Sequence, residues 1–296
     1  MKDGAERVKT RNCGDRARER VQAAGLRVYF ADVTALEDEA LYGRALQCAS
    51  EERREKALRF RFPEDRRRCL AAELLLKKAL ADRGYFPEEL HYVFSEDGKP
   101  ALKGFPDFHF NLSHSGKYVM AAAAETEVGC DIEEIRRLGK KNAEQEGSAG
   151  GTGKDGCGSG AEQVRKERSM FLQIAERMFH PEETAALAAA SEEDRPALFF
   201  RFWTLRESFV KARGTGLSRP GSEYLPPEIP GYTFCEYGGL PGYAAAVCAA
   251  AASTAASCVT GGSTAASCLA EEAVLPVWET VDLQLLLDRC GAETIH

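Results

Sequence analysis

The stretch from residue 107 to residue 135 constrains the fold most, because it predicts three consecutive β-strands. Its pattern combines alternating aromatic residues, a short apolar run and two glycines that separate the segments. Most of the chemistry that can be inferred from the sequence lies in these strands or next to them. The predicted strands contain Phe108 and Phe110, then Tyr118 to Ala124, and then Val128 to Ile135.

Two acidic residues in the third predicted strand, Asp131 and Glu133, are two positions apart. On a strand this spacing places both carboxylates on one face, while Cys130 and Ile132 point to the other. Neighbouring carboxylates repel each other unless a cation lies between them, and oxygen ligands alone favour a hard metal such as magnesium. Two ordinary acids on a solvent-facing strand edge would give the same pattern, so both interpretations remain open for this pair alone.

A second motif lies in a helix predicted from Glu192 to Arg213. Trp203, Glu207 and Lys211 are spaced four residues apart and therefore share one helical face. Glu207 would supply a third carboxylate for the metal, and Lys211, one turn further on, suits a phosphate group. The alternative is a tryptophan in the core beside a solvated Glu–Lys pair.

Together these motifs resemble those of the 4′-phosphopantetheinyl transferases of the Sfp-like, surfactin-synthetase-activating type. The family motif G-x-D-x-E is matched by residues 129–133. The motif W-x-x-K-E-[SA]-x-x-K is matched by residues 203–211, with Arg206 where lysine is usual. Residues 111–115, Asn-Leu-Ser-His-Ser, match the family's F-N-x-S-H-S element.

The resemblance implies an α+β fold, in which two similar halves form an intramolecular pseudo-dimer with the active site in the cleft between them. The strands predicted at residues 26–33 and 128–135 would be the equivalent first strands of the two halves. Helix start and stop signals indicate where the helices lie. The predicted helices are 51–60 after an N-cap at Ser50, 64–82, 169–179, one that begins at Pro181, and 192–213.

The division of the chain follows from this architecture. We expect a flexible arm at residues 1–24 and an N-terminal half at residues 25–124, which would make the contacts with the coenzyme A nucleotide. The C-terminal half, residues 125–296, would contain the metal site. Two low-complexity segments, 138–167 and 249–270, are interpreted as inserted loops.

The resemblance also implies a reaction and a metal. The enzyme would transfer the 4′-phosphopantetheine arm of coenzyme A to a serine of an apo acyl- or peptidyl-carrier protein and release 3′,5′-adenosine bisphosphate. Asp131, Glu133 and Glu207 would bind Mg²⁺, and diphosphate oxygens and water would complete its coordination.

The catalytic residues that the resemblance implies are Glu207, Lys211 and His114. Lys211 and His114 would neutralise the phosphates. Glu207 is the candidate general base, and Glu183 and a metal-bound water are alternatives.

Positive charge is concentrated between Arg53 and Arg68, although the net charge is −7. A solvated helix face would explain these residues, but arginine also gives phosphate groups permanently charged, bidentate donors. By the resemblance, Arg68 contacts the 3′-phosphate of coenzyme A. The full set of implied cofactor contacts is Arg53, Lys56, Arg68, Lys99, Ser113, His114 and Lys211.

Composition argues against several other classes of protein. The negative net charge disfavours a nucleic-acid partner. The longest apolar run, Tyr243 to Ala252, is too short to span a bilayer, and residues 1–24 lack the apolar stretch of a secretory signal. We therefore expect a cytoplasmic protein with no membrane partner, and the pseudo-dimer that the resemblance implies leads us to expect a monomer. The ten cysteines have no Cys-x-x-Cys spacing, which predicts reduced thiols and no zinc or redox site.

Two further hypotheses use the same residues. One is a coenzyme A-binding protein without transferase activity, for which Arg206 and the long insertion are arguments. The other is a magnesium-dependent phosphohydrolase with the same carboxylates. The sequence does not indicate whether the carrier protein belongs to fatty-acid, polyketide or peptide synthesis.

Overall fold

Two small β-sheets, each with one long helix packed against it, form the framework of the chain. The computed structural model describes residues 25–87, 89–136, 170–215, 226, 229–251 and 277–292. The N-terminal half contains β1 (Arg27–Asp32), a 3₁₀ helix (Val33–Glu37), α1 (Glu39–Cys48), α2 (Glu51–Arg59), α3 (Pro63–Ala81), β2 (Tyr92–Phe94), β3 (Pro100–Leu102), β4 (His109–Ser115) and β5 (Tyr118–Ala124). The rest of the chain contains β6 (Val128–Glu134), α4 (170–178), α5 (Pro181–Ala189), α6 (Arg195–Arg213), β7 (Tyr232–Tyr237), β8 (Tyr243–Ala250), β9 (Val277–Thr280) and α7 (Leu283–Ala292).

The strand order shows that the two halves are alike. β1 pairs antiparallel with β5, which pairs with β4, and in the second sheet β6 pairs antiparallel with β8, which pairs with β7. Each half has one helix of 19 residues. α3 packs on β1 and β5, as α6 packs on β6 and β8. The predicted α+β fold with two similar halves is therefore confirmed, and β1 and β6 occupy equivalent places.

Most predicted elements are present with small shifts at their ends. The Ser50 hydroxyl accepts a hydrogen bond from the Arg53 N–H and caps α2, as its sequence position predicts. α6 begins at Arg195 and ends at Gly214, which takes a left-handed conformation with φ of 69°. The sequence analysis did not identify α1, α7 or the short hairpin of β2 and β3.

The C-terminal end of the chain packs with the N-terminal half, which corrects the division at residues 125–296. β9 pairs parallel with β1 and covers its edge. α7 packs against α1 and α3, and Leu283 and Leu287 belong to the same buried cluster as the apolar side chains of α3. The start of the loop predicted at 249–270 is also corrected, because β8 continues to Ala250.

Several predictions concern residues outside the described ranges. These are the arm at 1–24, the insertion at 138–167 and the larger part of the loop at 249–270. Within the described ranges, no helix combines the length and the apolar character needed to cross a bilayer.

Side chains of β4 connect the two sheets along the edge of β6. Oxygens of alternate β4 side chains accept hydrogen bonds from alternate backbone N–H groups of β6, each pair being 19 residues apart. This pattern satisfies the N–H groups on the edge of β6 that does not face β8, because successive strand N–H groups point to opposite edges. The bonds run from Cys130 to Asn111 Oδ1 (2.9 Å), from Ile132 to Ser113 Oγ (3.4 Å) and from Glu134 to Ser115 Oγ (3.1 Å).

Gly129 allows α6 to lie directly on β6. A Cβ atom at residue 129 would lie 2.1 Å from the carbonyl oxygen of Ser208 and 2.2 Å from the backbone nitrogen of Ala212. Both atoms belong to the helix backbone, which cannot move aside as a flexible side chain could. The first glycine of the G-x-D-x-E motif is therefore required for the helix–strand contact.

We expect Gly129→Ala to unfold the protein or to lower its free energy of unfolding by about 3 kcal/mol or more, because the added methyl group overlaps the helix backbone. Thermal and urea unfolding monitored by circular dichroism would measure the change. Gly43→Ala is the matched control. Residue 43 lies in α1 with nothing within 4 Å of an added Cβ, so alanine should stabilise the helix by about 0.5–1 kcal/mol. Equal effects of the two substitutions would contradict the proposed role of the close contact.

Candidate active site

Asp131 is a buried acid whose Oδ1 atom accepts two hydrogen bonds. Ser113 Oγ donates to it over 2.8 Å and Lys211 Nζ over 2.6 Å. Lys211 Nζ also lies 3.2 Å from Ser113 Oγ, so the three side chains form a closed group. Burial raises the pKa of Asp131, and the Lys211 ammonium group opposes that change. Burial alone would favour a neutral Lys211, but the Asp131 carboxylate outweighs it and raises the pKa of the lysine.

Glu133, two residues further along β6, is held in the same way. Ser115 Oγ donates a hydrogen bond of 2.8 Å to Glu133 Oε2, and burial raises the pKa of this carboxyl group. Cys130 and Ile132 lie on the opposite face of the strand in a buried apolar cluster. The predicted alternation along this strand is therefore present, and the Cys130 thiol is a core residue.

Glu207 of α6 faces the two acids of β6. Its pKa rises to about 7, first because the carboxyl group is largely buried and then because Asp131 and Glu133 repel its negative charge. Lys211 opposes this rise. These interactions link Glu207 on α6 electrostatically with Asp131 and Glu133 on β6, and metal binding by the three acids stays a prediction.

Two observations bear on whether these acids could hold a metal ion. Asp131 Oδ2 is buried and has no hydrogen-bond partner among the described residues, so this oxygen could accept a donor or a cation. Within the same residues, no group of three or more His, Cys, Asp or Glu side chains is placed to hold a metal ion. Binding of Mg²⁺ at these acids therefore stays a prediction, and such an ion would need water and substrate oxygens among its ligands.

A pocket of about 260 Å³ lies between α2, α3, β2 and β4. His114 connects it with the acidic cluster, because its ring lines the pocket and also interacts with Lys211. Burial, followed by the positive charges of Arg68 and Lys211, lowers the pKa of His114, so the imidazole is neutral at neutral pH. Besides His114, the lining contains the cations Arg53 and Lys56, the acids Glu52 and Asp65, and the aromatic side chains of Phe60, Tyr92 and Phe94.

Four predicted cofactor contacts bond to protein atoms instead of lining this pocket, and Lys211, with its bonds to Asp131 and Ser113, is one of them. Arg68 donates to the carbonyl oxygen of Gly116 (2.8 Å) and to Asp65 Oδ1 (2.6 Å). Lys99 Nζ donates to the carbonyl oxygen of Ala212 near the end of α6, and its burial lowers its pKa. Ser113 holds Asp131, as described above. For these residues, contact with coenzyme A stays a prediction.

Arg206, the departure from the usual lysine, forms a buried ion pair with Glu183. Its Nε atom lies 3.0 Å from Glu183 Oε2, and its Nη2 atom bonds to the same oxygen. Glu183 also accepts a hydrogen bond from the His180 N–H at the start of α5. Arg206 therefore links α6 to α5. Glu183 would have to leave this ion pair to act as a base.

The sequence analysis missed the role of Ser115. The signal was present, because Ser113 and Ser115 are two residues apart and must share a strand face, as Asp131 and Glu133 do. Nothing in the spacing within either strand, however, indicates which residue of β4 lies opposite which residue of β6.

Comparison with known proteins identifies the class to which this fold and site belong. Residues 127–229 match the sequence model of the 4′-phosphopantetheinyl transferase superfamily, and residues 37–126 match that of the 4′-phosphopantetheinyl transferase N-terminal domain. The chain belongs to the 4′-phosphopantetheinyl transferase superfamily, a family of enzymes. Within it the chain is of the Sfp-like type, as the sequence motifs predicted.

The similar proteins include three transferases from Bacillus. The chain is 32% identical to a 4′-phosphopantetheinyl transferase of Bacillus subtilis over 60% of its own length and 65% of the relative. It is 33% identical to psf-1 of Bacillus pumilus over 56% and 58% of the two chains. It is 29% identical to Sfp of Bacillus subtilis strain 168 over 70% and 84%. The alignments with the first two relatives thus span less than two thirds of those proteins.

We expect Glu207→Gln to stabilise the metal-free protein at alkaline pH and not at acidic pH. The folded protein keeps the Glu207 proton up to about pH 7, whereas an unfolded chain loses it near the ordinary pKa of 4.5. Ionisation therefore costs stability as the pH rises through this window. The glutamine should recover roughly 1 kcal/mol at about pH 8.5, after allowance for solvent screening, and nothing at about pH 4.

Urea unfolding in the presence of a chelator would measure this difference at the two pH values. Glu134→Gln is the control, because Glu134 is an exposed acid at the end of β6, the strand that contains Asp131 and Glu133. A stability gain of Glu207→Gln that does not depend on pH, or a loss at alkaline pH, would contradict the description of the acidic cluster.

Proposed function

We propose that the protein transfers the 4′-phosphopantetheine arm of coenzyme A to a serine of an apo acyl- or peptidyl-carrier protein. The serine oxygen forms a bond to a phosphorus of the diphosphate, and the bridging P–O bond breaks. The 3′,5′-adenosine bisphosphate leaves with the electron pair of that bond, and the serine proton passes to a base. The observation that supports this proposal is the group of Asp131, Glu133 and Glu207, which interact electrostatically, together with a pocket whose lining includes Arg53 and Lys56.

Each acid of the cluster has different neighbours, and each could bind a metal. Ser113 and Lys211 orient Asp131 through Oδ1, so that Oδ2 remains available to a cation. Ser115 orients Glu133, and Glu207 approaches from α6. When bound, Mg²⁺ would neutralise the charge that grows on the bridging oxygen and on the leaving phosphate.

Lys211 and His114 are the residues that would contact the diphosphate. Lys211 is an ammonium group at neutral pH, and its charge can stabilise phosphate oxygens without proton transfer. The neutral imidazole of His114 can donate a hydrogen bond, and an adjacent phosphate would raise its pKa again.

Glu207 is the best placed general base. Its pKa of about 7 belongs to the metal-free protein, and bound Mg²⁺ would lower it, so Glu207 would be ionised and able to accept the serine proton at neutral pH. A water oriented by Glu207 remains the alternative. Glu183 is less suitable, because its carboxylate is buried in the ion pair with Arg206.

The proposal is tested by labelling purified apo-carrier proteins with a fluorescent coenzyme A. We expect magnesium-dependent labelling by the unaltered protein and none with a chelator. Asp131→Asn and Glu207→Gln should each lower the rate by about 100- to 1,000-fold, because each removes a carboxylate that would hold Mg²⁺ at the reacting diphosphate. Glu134→Gln, at the exposed end of β6, is the control and should retain the rate.

Other outcomes would identify the alternative hypotheses. Binding of coenzyme A without labelling of any carrier would indicate a binding protein. Hydrolysis of coenzyme A in the absence of a carrier would indicate a phosphohydrolase. Full activity of Asp131→Asn would show that the acidic cluster is not the active site. A panel of carriers from fatty-acid, polyketide and peptide synthesis would determine the preferred partner.

A further inference from the structure

A fully buried carboxylate in the N-terminal half, Glu73 of α3, is surrounded by donors. Its Oε1 atom accepts a hydrogen bond from the Ser50 N–H (2.6 Å), and Oε2 accepts one from the Ser50 hydroxyl (2.9 Å). Oε2 also accepts bonds from Arg53 Nε and from the Tyr92 hydroxyl, both at 3.2 Å. The Glu73 side chain has 0% exposure, so these bonds are made without competition from water.

The same contacts fix the guanidinium group of Arg53 in the wall of the pocket. Its Nε bonds to Glu73, its Nη2 to the Tyr92 hydroxyl over 2.9 Å, and its Nη1 more weakly to Cys69 Sγ over 3.9 Å. The guanidinium also lies over the Tyr92 ring, 5.2 Å from its centroid. A guanidinium group has five N–H donors, so two have no partner among the described residues and can serve an anion in the pocket.

The two long helices use a similar pair of residues differently. α3 contains Glu73 four residues before Lys77, and α6 contains Glu207 four residues before Lys211. In α6 the carboxylate faces other carboxylates, which repel it. In α3 the carboxylate faces donors from Ser50, Arg53 and Tyr92, which satisfy it. Glu73 is thus suited to hold the guanidinium group of Arg53 in place, whereas Glu207 is suited to bind a metal cation.

We propose that Glu73 and Tyr92 are positioning residues for the nucleotide: they hold Arg53 so that its free N–H groups face the phosphates of coenzyme A. This inference rests on the proposed function, because it assumes that the pocket binds the nucleotide. Without these partners the long Arg53 side chain would sample many rotamers, and binding would have to restrict them. Neither positioning residue needs to touch the reacting diphosphate.

The sharpest test compares Tyr92→Phe with Tyr42→Phe. Both changes remove one hydroxyl group from a side chain packed on the same buried cluster. The Tyr92 hydroxyl bonds to Arg53 and Glu73, whereas the buried Tyr42 hydroxyl has no partner among the described residues. We expect Tyr92→Phe to weaken binding of 3′,5′-adenosine bisphosphate about tenfold, since bonds to charged groups are among the stronger ones. Tyr42→Phe should not change it.

Calorimetric titration with 3′,5′-adenosine bisphosphate measures binding without catalysis, and steady-state transfer gives the second readout. Positioning of the nucleotide predicts a higher KM for coenzyme A with kcat preserved, because the interaction is made equally in ground state and transition state. A merely structural defect would instead lower the active fraction and leave KM unchanged. Glu73→Gln, with the same shape and no charge, should raise KM at least as much as Tyr92→Phe.

The outcomes separate this inference from the proposed function. If the unaltered protein binds no 3′,5′-adenosine bisphosphate and labels no carrier, the proposed function fails. If the unaltered protein is active and Tyr92→Phe binds the nucleotide as tightly as Tyr42→Phe, the positioning role fails and the function stands. Should Glu73→Gln fail to fold, the comparison of the two tyrosine variants still decides the question.

Discussion

The close contact between α6 and β6 at Gly129 is the constraint on which the site depends. Because residue 129 has no side chain, the helix backbone lies against the strand. Glu207 and Lys211, on the helix, thereby reach Asp131, which follows Gly129 by two residues. A wider helix–strand spacing would separate the cation from its carboxylate and the third acid from the other two. The first glycine of the motif is thus a packing requirement with an electrostatic consequence.

Repulsion within the acidic cluster lowers the stability of the folded protein, and we attribute this cost to the proposed role of the cluster in catalysis. Asp131, Glu133 and Glu207 are largely removed from water and have one ammonium group, Lys211, among them. Their raised pKa values and the unpaired Asp131 Oδ2 are both marks of an incomplete set of partners. A divalent cation with substrate oxygens would complete that set, so binding and relief of repulsion would occur together. Glu73, next to the pocket of the N-terminal half, is the opposite case, because both of its carboxylate oxygens accept hydrogen bonds.

Local signals explain what the sequence could predict. The caps and prolines at helix starts gave the positions of α2, α3 and α5, and the period of two gave the faces of β6. The pairing of β9 with β1 could not be predicted, because it joins segments some 250 residues apart in sequence by backbone bonds that no side-chain pattern marks. The partners of Arg53 were missed for the same reason. Its charge was visible in the sequence, but Glu73 and Tyr92 lie 20 and 39 residues away. Motif resemblance supplied the three acids, which spacing alone left open.

The central claim is that acids from two separate elements meet around one divalent ion beside the nucleotide. Crystals grown with Mn²⁺ and 3′,5′-adenosine bisphosphate would test it, because manganese gives an anomalous signal and accepts the same oxygen ligands as magnesium. We predict one strong anomalous peak in contact with Asp131, Glu133 and Glu207, with the nucleotide in the pocket that Arg53 lines. A peak bound elsewhere, or nucleotide in the pocket with no metal at these three acids, would contradict the account.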